Sequence, residues 1–113
     1  MRGDDRTRLQ HMLDAAREAC FFASGQTRES LDTDRKLALS LVRDIEIIGE
    51  AASRVSDECQ NENPLVPWRN IVAMRNRLIH AYFDVDLDRV WDTVTEDLPP
   101  LITTLETSLS SED

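Results

Sequence analysis

The chain has 113 residues, of which 41% are hydrophobic and 31% charged, a composition typical of a folded globular domain rather than a disordered segment. No window approaches the roughly 18 consecutive apolar residues of a membrane-spanning helix, and the amino terminus lacks the apolar stretch of a signal peptide. We therefore expect one domain, residues 1–113, in the cytoplasm.

The net charge of −9 argues at first against a nucleic-acid ligand, because phosphate affinity comes mainly from Lys and Arg. The charge is unevenly distributed, however, since no acidic residue lies between Glu62 and Asp84. That stretch contains Arg69, Arg75 and Arg77, so it carries +3 and leaves −12 for the remainder. A local field of this sign can attract an anion, although acidic residues also avoid a buried helix for reasons of burial alone.

The first predicted helix runs from Asp5 to about Ala23, because its apolar residues recur at three- and four-residue steps. Thr7 and Gln10 have the spacing of a capping box at its start. The polar residues that follow predict a connection, with room for one short helical turn around residues 28–31.

The second predicted helix is longer, beginning at residue 33 or 34 and ending at Val55. Its apolar residues form one stripe, which makes it the centre of the core. Gly49 widens this apolar arc, and a glycine inside a helix is tolerated best where another helix must come close. Residues 56–66, with two asparagines and Pro64, are predicted as a loop.

The third predicted helix begins at Pro67 and ends at Tyr82 or Phe83. Asp86 is predicted to cap a fourth helix, which continues through the proline pair at 99–100 with a kink or short break, because the apolar phase is the same on both sides. Four principal helices with short connections predict an all-α fold, an up-and-down four-helix bundle without strands.

The segment 74–82 is the part of the chain most able to carry chemistry. On a helix that advances about 100° per residue, Arg75 and Tyr82 lie nearly in line two turns apart, and His80 is offset to one side. Arg75 then points toward apolar neighbours, where a guanidinium keeps its proton and therefore needs an anion or acceptor. A carboxylate of the second helix could meet it, and so could a ligand phosphate at a subunit interface.

Each of these residues also has a purely structural interpretation. A His near the carboxyl terminus of a helix often satisfies the last carbonyls, and a Tyr on an apolar stripe usually belongs to the core. Arg75 could form a structural ion pair with Asp44 or Glu46. These two residues and Glu50 are more often solvated or ion-paired than catalytic. Spacing alone leaves both interpretations open.

A wider set of residues resembles one known family. Arg75, His80 and Tyr82, in the order Arg-x4-His-x-Tyr and with Asn76 directly after the arginine, are similar to the motif of the HEPN-domain ribonucleases, specifically the HepT-like toxins. The surrounding blocks that resemble this family in the same order are 45–52, 66–68, 74–76, 85–86 and 90–91. The resemblance covers roughly residues 9–105.

This resemblance implies a HEPN-like bundle that forms a homodimer, with the motifs of two protomers facing each other across a cleft. It also implies an endoribonuclease that needs neither metal nor cofactor. His80 would act as general base and acid, while Arg75 with Asn76 would hold and neutralise the phosphate. Arg69 and Arg77 are then expected to bind RNA around this centre.

The HepT-like toxins are paired with a minimal nucleotidyltransferase antitoxin, so the resemblance implies that partner and a hetero-oligomer with it. It further implies that transfer of AMP to Tyr82 silences the toxin. The alternative is a non-catalytic HEPN module that binds a nucleotide or the nucleotidyltransferase. A third hypothesis is a helical assembly module whose motif only stabilises a dimer. The intact motif favours the nuclease, whereas the negative net charge keeps the second hypothesis open.

Overall fold

The computed structural model describes residues 1–80 and 85–110, with the backbone alone at positions 79 and 80. Every regular element in these ranges is a helix: α1 (Gly3–Ala23), α2 (Ser30–Thr33), α3 (Arg35–Ser53), α4 (Asp57–Glu62), α5 (Trp68–His80), α6 (Leu87–Asp92), a π-helix (Thr93–Asp97) and α7 (Leu98–Ser110). The predicted all-α fold is therefore confirmed. Nowhere in the described ranges is a helix both long and apolar enough to cross a membrane.

Helix α3 is central to the core, as its apolar stripe predicted. It packs against α1 and against α5, and α1 also packs against α7. Fully burying a side chain such as Leu, Val or Met stabilises the fold by about 2 kcal/mol relative to leaving it exposed. The largest fully buried apolar side chains are Leu9, Met12, Leu41, Cys59, Val90, Val94 and Leu105. The core therefore joins α1, α3 and α4 with the helical stretch 87–110.

Helix α1 begins earlier than predicted, at Gly3, and the capping box predicted at its start is wrong. Thr7 Oγ1 donates to the Gly3 carbonyl at 3.0 Å, and Gln10 Nε2 donates to Asp14 Oδ1 at 2.9 Å. Both residues lie within α1 rather than at its start. A threonine hydroxyl in that position donates to the carbonyl four residues earlier and does not cap free N–H groups.

The loop predicted at residues 56–66 is partly wrong, because it contains the short helix α4. Ser56 is its N-cap, and its Oγ accepts from the backbone N–H of Cys59 at 3.2 Å. The same hydroxyl donates to Asp5 of α1 at 2.6 Å, and the Ser56 N–H donates to that carboxylate at 2.8 Å. Burial alone would raise the pKa of Asp5, but these hydrogen bonds hold it below its ordinary value. Helix α4 is thereby attached to α1.

Two aspartates begin helices as N-caps. Asp34 Oδ1 accepts from the Leu37 N–H at 3.1 Å at the start of α3. Asp86 Oδ1 accepts from the Arg89 N–H, also at 3.1 Å, at the start of α6. Each bond satisfies a backbone donor that the first turn leaves free. The predicted cap at Asp86 is confirmed.

The break predicted near the prolines 99–100 takes the form of the π-helix directly before them. The Leu98 N–H donates to the carbonyl of Thr93, five residues earlier. The two prolines follow at once and have no N–H to donate, so the wider turn provides room for their rings. Helical structure continues over residues 87–110, which confirms that the chain does not leave the bundle at the prolines.

Candidate active site

Helix α5 packs against α3, and the two helices come close to each other at Gly49. A methyl group at position 49 would overlap Cβ and Cγ of Arg75 and would lie 3.3 Å from the carbonyl oxygen of Ile71. Only a residue without a side chain fits there, which confirms the expectation that Gly49 marks a helix contact. The aliphatic stem of Arg75 therefore crosses α3 at this glycine.

Arg75 itself is half-buried, and its charged end contacts Asn76. Nη1 of Arg75 donates to Oδ1 of Asn76 at 2.9 Å. Within residues 1–78 and 85–110, whose side chains are described, no carboxylate forms an ion pair with this guanidinium. A neutral amide partner means that no described residue compensates the positive charge, and most of the five N–H donors are available to a ligand.

Glu46, one of the two candidates for pairing with Arg75, contacts another arginine, and so does Glu50 one turn further along α3. Glu46 lies 3.6 Å from Nη1 of Arg43, and Glu50 lies 3.2 Å from Nη2 of Arg54. Of the two alternatives for Arg75, the structural ion pair is thus not found, and the anionic ligand stays a prediction. Among the described side chains, no group of three His, Cys, Asp or Glu is placed to hold a metal ion.

Asp44, the remaining candidate, is buried where α3 meets α1. Only 2% of its surface is exposed, and Oδ2 has no hydrogen-bond partner in the described part of the chain. Its loss of solvation, its hydrogen bond with Glu18 and the nearby charge of Glu18 raise its pKa from 3.8 to about 7, against the opposing charge of Arg43. Asp44 is turned about 140° around α3 from Gly49, so it bears on stability rather than on the site.

We expect the pH dependence of stability to reveal this carboxyl group. Its pKa is higher in the folded than in the unfolded chain, so its stabilising contribution is complete below about pH 4 and is lost as the pH rises through about 7. Between pH 5 and 8 the free energy of unfolding of the wild type should fall by about 2 kcal/mol through this group. In Asp44→Asn this part of the fall should be absent. Urea unfolding at both pH values measures it, with exposed Asp92→Asn as the control. Equal pH slopes in Asp44→Asn and wild type would contradict the prediction.

The other two motif residues lie at or beyond the end of α5. His80 is the last residue of the helix, so its backbone is helical, and its side chain is outside the described part. Tyr82, the predicted modification site, lies outside the described residues, as does Phe83. The relative placement of the guanidinium, the imidazole and the phenol therefore stays a prediction.

The remaining predicted site residues lie on the exposed surface of α5. Asn76, Arg77 and Arg69 are all exposed, and neither arginine pairs with a carboxylate in the described ranges. Arg69 and Asn76 are seven residues apart, which is two turns, so they share one face with an axial separation of about 10 Å. This face presents positive charge and an amide to solvent.

Two hollows lined by described residues border α5, and the sequence analysis identified neither. One, of about 310 Å³, lies between α3, α5 and α7 and is mostly apolar, with Glu96 and Asp97 among its lining residues. The other, of about 510 Å³, is lined by Gln60, Asn61, Pro64, Pro67, Trp68, Arg69 and Asn70.

The amide side chains of this second hollow were not predicted as site residues, because α4 was predicted as a loop. Ser56 followed by two acidic residues was the overlooked signal, since it is a favoured helix start.

Comparison with known proteins identifies the family. The family model described as "Ribonuclease HepT-like" matches residues 12–108. A Thermococcus cleftensis protein named "Probable ribonuclease HepT" is 41% identical over 85 residues, 75% of this chain and 71% of that protein. A candidate RNase of Caldanaerobacter subterraneus is 34% identical over 93 residues, 82% of this chain and 83% of that protein. No solved structure matches with significance.

A further candidate RNase, from Methanocaldococcus jannaschii, is 30% identical over 103 residues, 91% of this chain and 85% of that protein. The family match covers α3 and α5 completely, including the Gly49 contact and the segment from Arg75 to His80. The family predicted from the motif is confirmed, and with it the predicted enzyme class, an endoribonuclease. The chain belongs to the HepT-like ribonuclease family.

Proposed function

We propose that the protein is the toxin of a toxin–antitoxin pair and that it cuts RNA without a metal ion. The observation that carries this proposal is Arg75, a half-buried guanidinium with no carboxylate partner among the described residues. Its stem is fixed against Gly49 and its end is oriented by Asn76. A guanidinium held in this way suits a phosphate, because its planar fork can donate two parallel hydrogen bonds.

The proposed reaction is attack of a ribose 2′-hydroxyl on the adjacent phosphorus. His80 accepts the hydroxyl proton as the new P–O bond forms, and imidazole suits this task because it titrates near neutral pH. The bond from phosphorus to the 5′-oxygen breaks, and that oxygen takes a proton from His80 of the partner subunit. Arg75 stabilises the negative charge that builds on the non-bridging oxygens. The products are a 2′,3′-cyclic phosphate and a 5′-hydroxyl.

A homodimer is part of this proposal, because one imidazole on each side of the phosphate separates the base from the acid. Arg69 and Arg77 then bind neighbouring phosphates along the exposed face of α5. The acid-free stretch around them, at +3 in a chain of −9, supports local binding of RNA by a protein that is acidic overall.

The test is cleavage of single-stranded RNA by the purified protein in EDTA. We expect the RNA to be cut to fragments with 2′,3′-cyclic phosphate ends, read by mass spectrometry. An oligonucleotide of the same sequence with 2′-deoxyribose throughout should stay intact, because it lacks the attacking hydroxyl. Cleavage of both substrates would contradict the mechanism. Nucleotide binding without any cleavage would favour the non-catalytic HEPN module instead.

We further propose that a nucleotidyltransferase antitoxin silences the protein at Tyr82. The phenolic oxygen attacks the α-phosphorus of ATP, pyrophosphate leaves, and the hydroxyl proton passes to solvent. The added phosphate brings negative charge close to the RNA site, where it competes for the guanidinium of Arg75.

Co-expression with the nucleotidyltransferase should increase the mass of the protein by one or more AMP groups, and Tyr82→Phe should abolish the increase. Intact-mass spectrometry of both chains is the measurement. An unchanged increase in the Phe variant would place the modification on another residue. RNA cleavage by the modified protein should be reduced relative to the unmodified one.

A further inference from the structure

The hollow at the beginning of α5, here called the α4–α5 hollow, contributes only Arg69 to the proposed function. It lies between α4, the connecting residues and the first turn of α5, and its seven lining residues are those given above. Its volume of about 510 Å³ falls within the range of roughly 300–1,000 Å³ found for small-ligand sites. It is therefore large enough to hold part of a substrate.

The charge around the α4–α5 hollow distinguishes it from two other hollows in the described part of the chain. Glu96 and Asp97 line the apolar hollow between α5 and α7, and Glu58 and Glu62 line a smaller one near the amino terminus. The α4–α5 hollow is lined by the cation Arg69 and by no carboxylate. In a chain with a net charge of −9, this combination favours an anionic ligand.

The uncharged lining groups fit a nucleotide. Trp68 Nε1 donates to the Asn63 carbonyl at 3.0 Å, which fixes the indole ring at the edge of the hollow. Asn61 and Asn70 are exposed there, and their amides make no hydrogen bond with the described residues. An amide both donates and accepts hydrogen bonds, as recognition of a base edge requires, and an aromatic ring offers an apolar surface against which a base can pack.

The α4–α5 hollow is also in line with the proposed catalytic centre. Arg69, on its edge, shares the exposed face of α5 with Asn76, about 10 Å away along the axis. The backbone of His80 lies about 16 Å from Arg69 along the axis, eleven residues further on. No acidic residue occurs on α5, so a strand bound at the motif meets no repulsion from this helix.

We propose that the α4–α5 hollow is a binding subsite for a nucleotide of the RNA substrate that flanks the cut site. This inference rests on the proposed function and adds a determinant of substrate length. Arg69 binds a phosphate of the strand, and Asn61 and Asn70 contact the base beside Trp68. RNA long enough to reach from the motif to the hollow therefore binds more tightly than RNA that fills the motif alone.

The test compares Asn61→Ala/Asn70→Ala with Gln26→Ala, which also removes an exposed amide but from the connection between α1 and α2. Binding of labelled single-stranded RNA is measured by fluorescence anisotropy, with His80→Ala in every chain to prevent cleavage. We expect the double variant to bind an RNA of about ten nucleotides roughly tenfold more weakly than the control, and a trinucleotide equally well. In chains that retain His80, the double variant should raise KM and leave kcat unchanged.

Equal affinity of the double variant and the control for the long RNA would overturn the subsite while leaving cleavage, and so the proposed function, intact. A wild-type chain that neither binds nor cuts RNA would overturn both the subsite and the proposed function. Normal RNA binding with loss of the nucleotidyltransferase complex would instead make the α4–α5 hollow a protein-docking surface, and would also overturn the proposal. Thermal unfolding of each variant, expected within about 2 °C of the parent because the substituted residues are exposed, checks the fold.

Discussion

His80→Ala is expected to lower kcat for RNA cleavage by about 10³-fold, because general acid–base catalysis typically contributes 10²–10⁴-fold. In the proposed dimer the substitution removes the base from one protomer and the acid from the other, so the whole proton transfer is lost. The measurement is the rate of fragment formation at saturating RNA in EDTA.

Arg75→Ala should cause a loss of about 10²- to 10³-fold, the effect of removing one group that stabilises developing negative charge. Arg75→Lys should recover only part of the rate, because an ammonium keeps the charge but not the planar fork. Arg77→Ala is the matched control, since it removes an exposed guanidinium from the same helix and should affect mainly KM. Retention of most activity in both the His80 and the Arg75 variants would remove these residues from the mechanism.

Gly49→Ala is expected to destabilise the fold by about 2 kcal/mol and to lower Tm by about 10 °C. Alanine is intrinsically the better helix former by about 1 kcal/mol, so a simple propensity argument predicts the opposite sign. The overlap with Arg75 decides the outcome, because Cβ and Cγ are the near end of that side chain and the backbone of Ile71 is close behind. Helices α3 and α5 must therefore separate.

Gly3→Ala is the matched control, because nothing lies within 4 Å of a methyl group at that position. It should leave Tm unchanged or slightly higher, as measured by thermal unfolding of both variants. Cleavage by folded Gly49→Ala should also fall, since the shift of α5 moves Arg75. A Tm for Gly49→Ala equal to that of wild type would contradict the close helix contact.

Local patterns predicted most of the fold. Apolar spacing located the four principal helical segments, and an aspartate before a helical pattern correctly located the cap at Asp86. These signals depend on neighbours within one or two turns, so the sequence contains them directly. The start of α1 and the helix α4 were missed because competing local signals, at Thr7 and at the asparagines of the connection, were given more weight.

Contacts between distant segments were less accessible to sequence reasoning. Gly49 could be predicted as a helix contact, but not as a contact with Arg75, because that depends on the rotation of α5 about its axis. The partner of Asp44 lies on α1, and no spacing rule connects the two helices. The structure places Arg69, Arg75, Asn76 and Arg77 on one helix, as predicted.

The π-helix at residues 93–97 also determines how the length of this segment can change. A turn of this kind accommodates one more residue than an α-helical turn, and each residue rotates a helix by about 100°. A single deletion here would restore a regular α-helix and would leave the buried leucines 101, 105 and 109 facing as they do now, because the residue removed is the additional one of the wide turn. Elsewhere in these helices the same deletion would rotate every following residue by about 100° and expose part of the core, so this segment is the one best able to lose a residue.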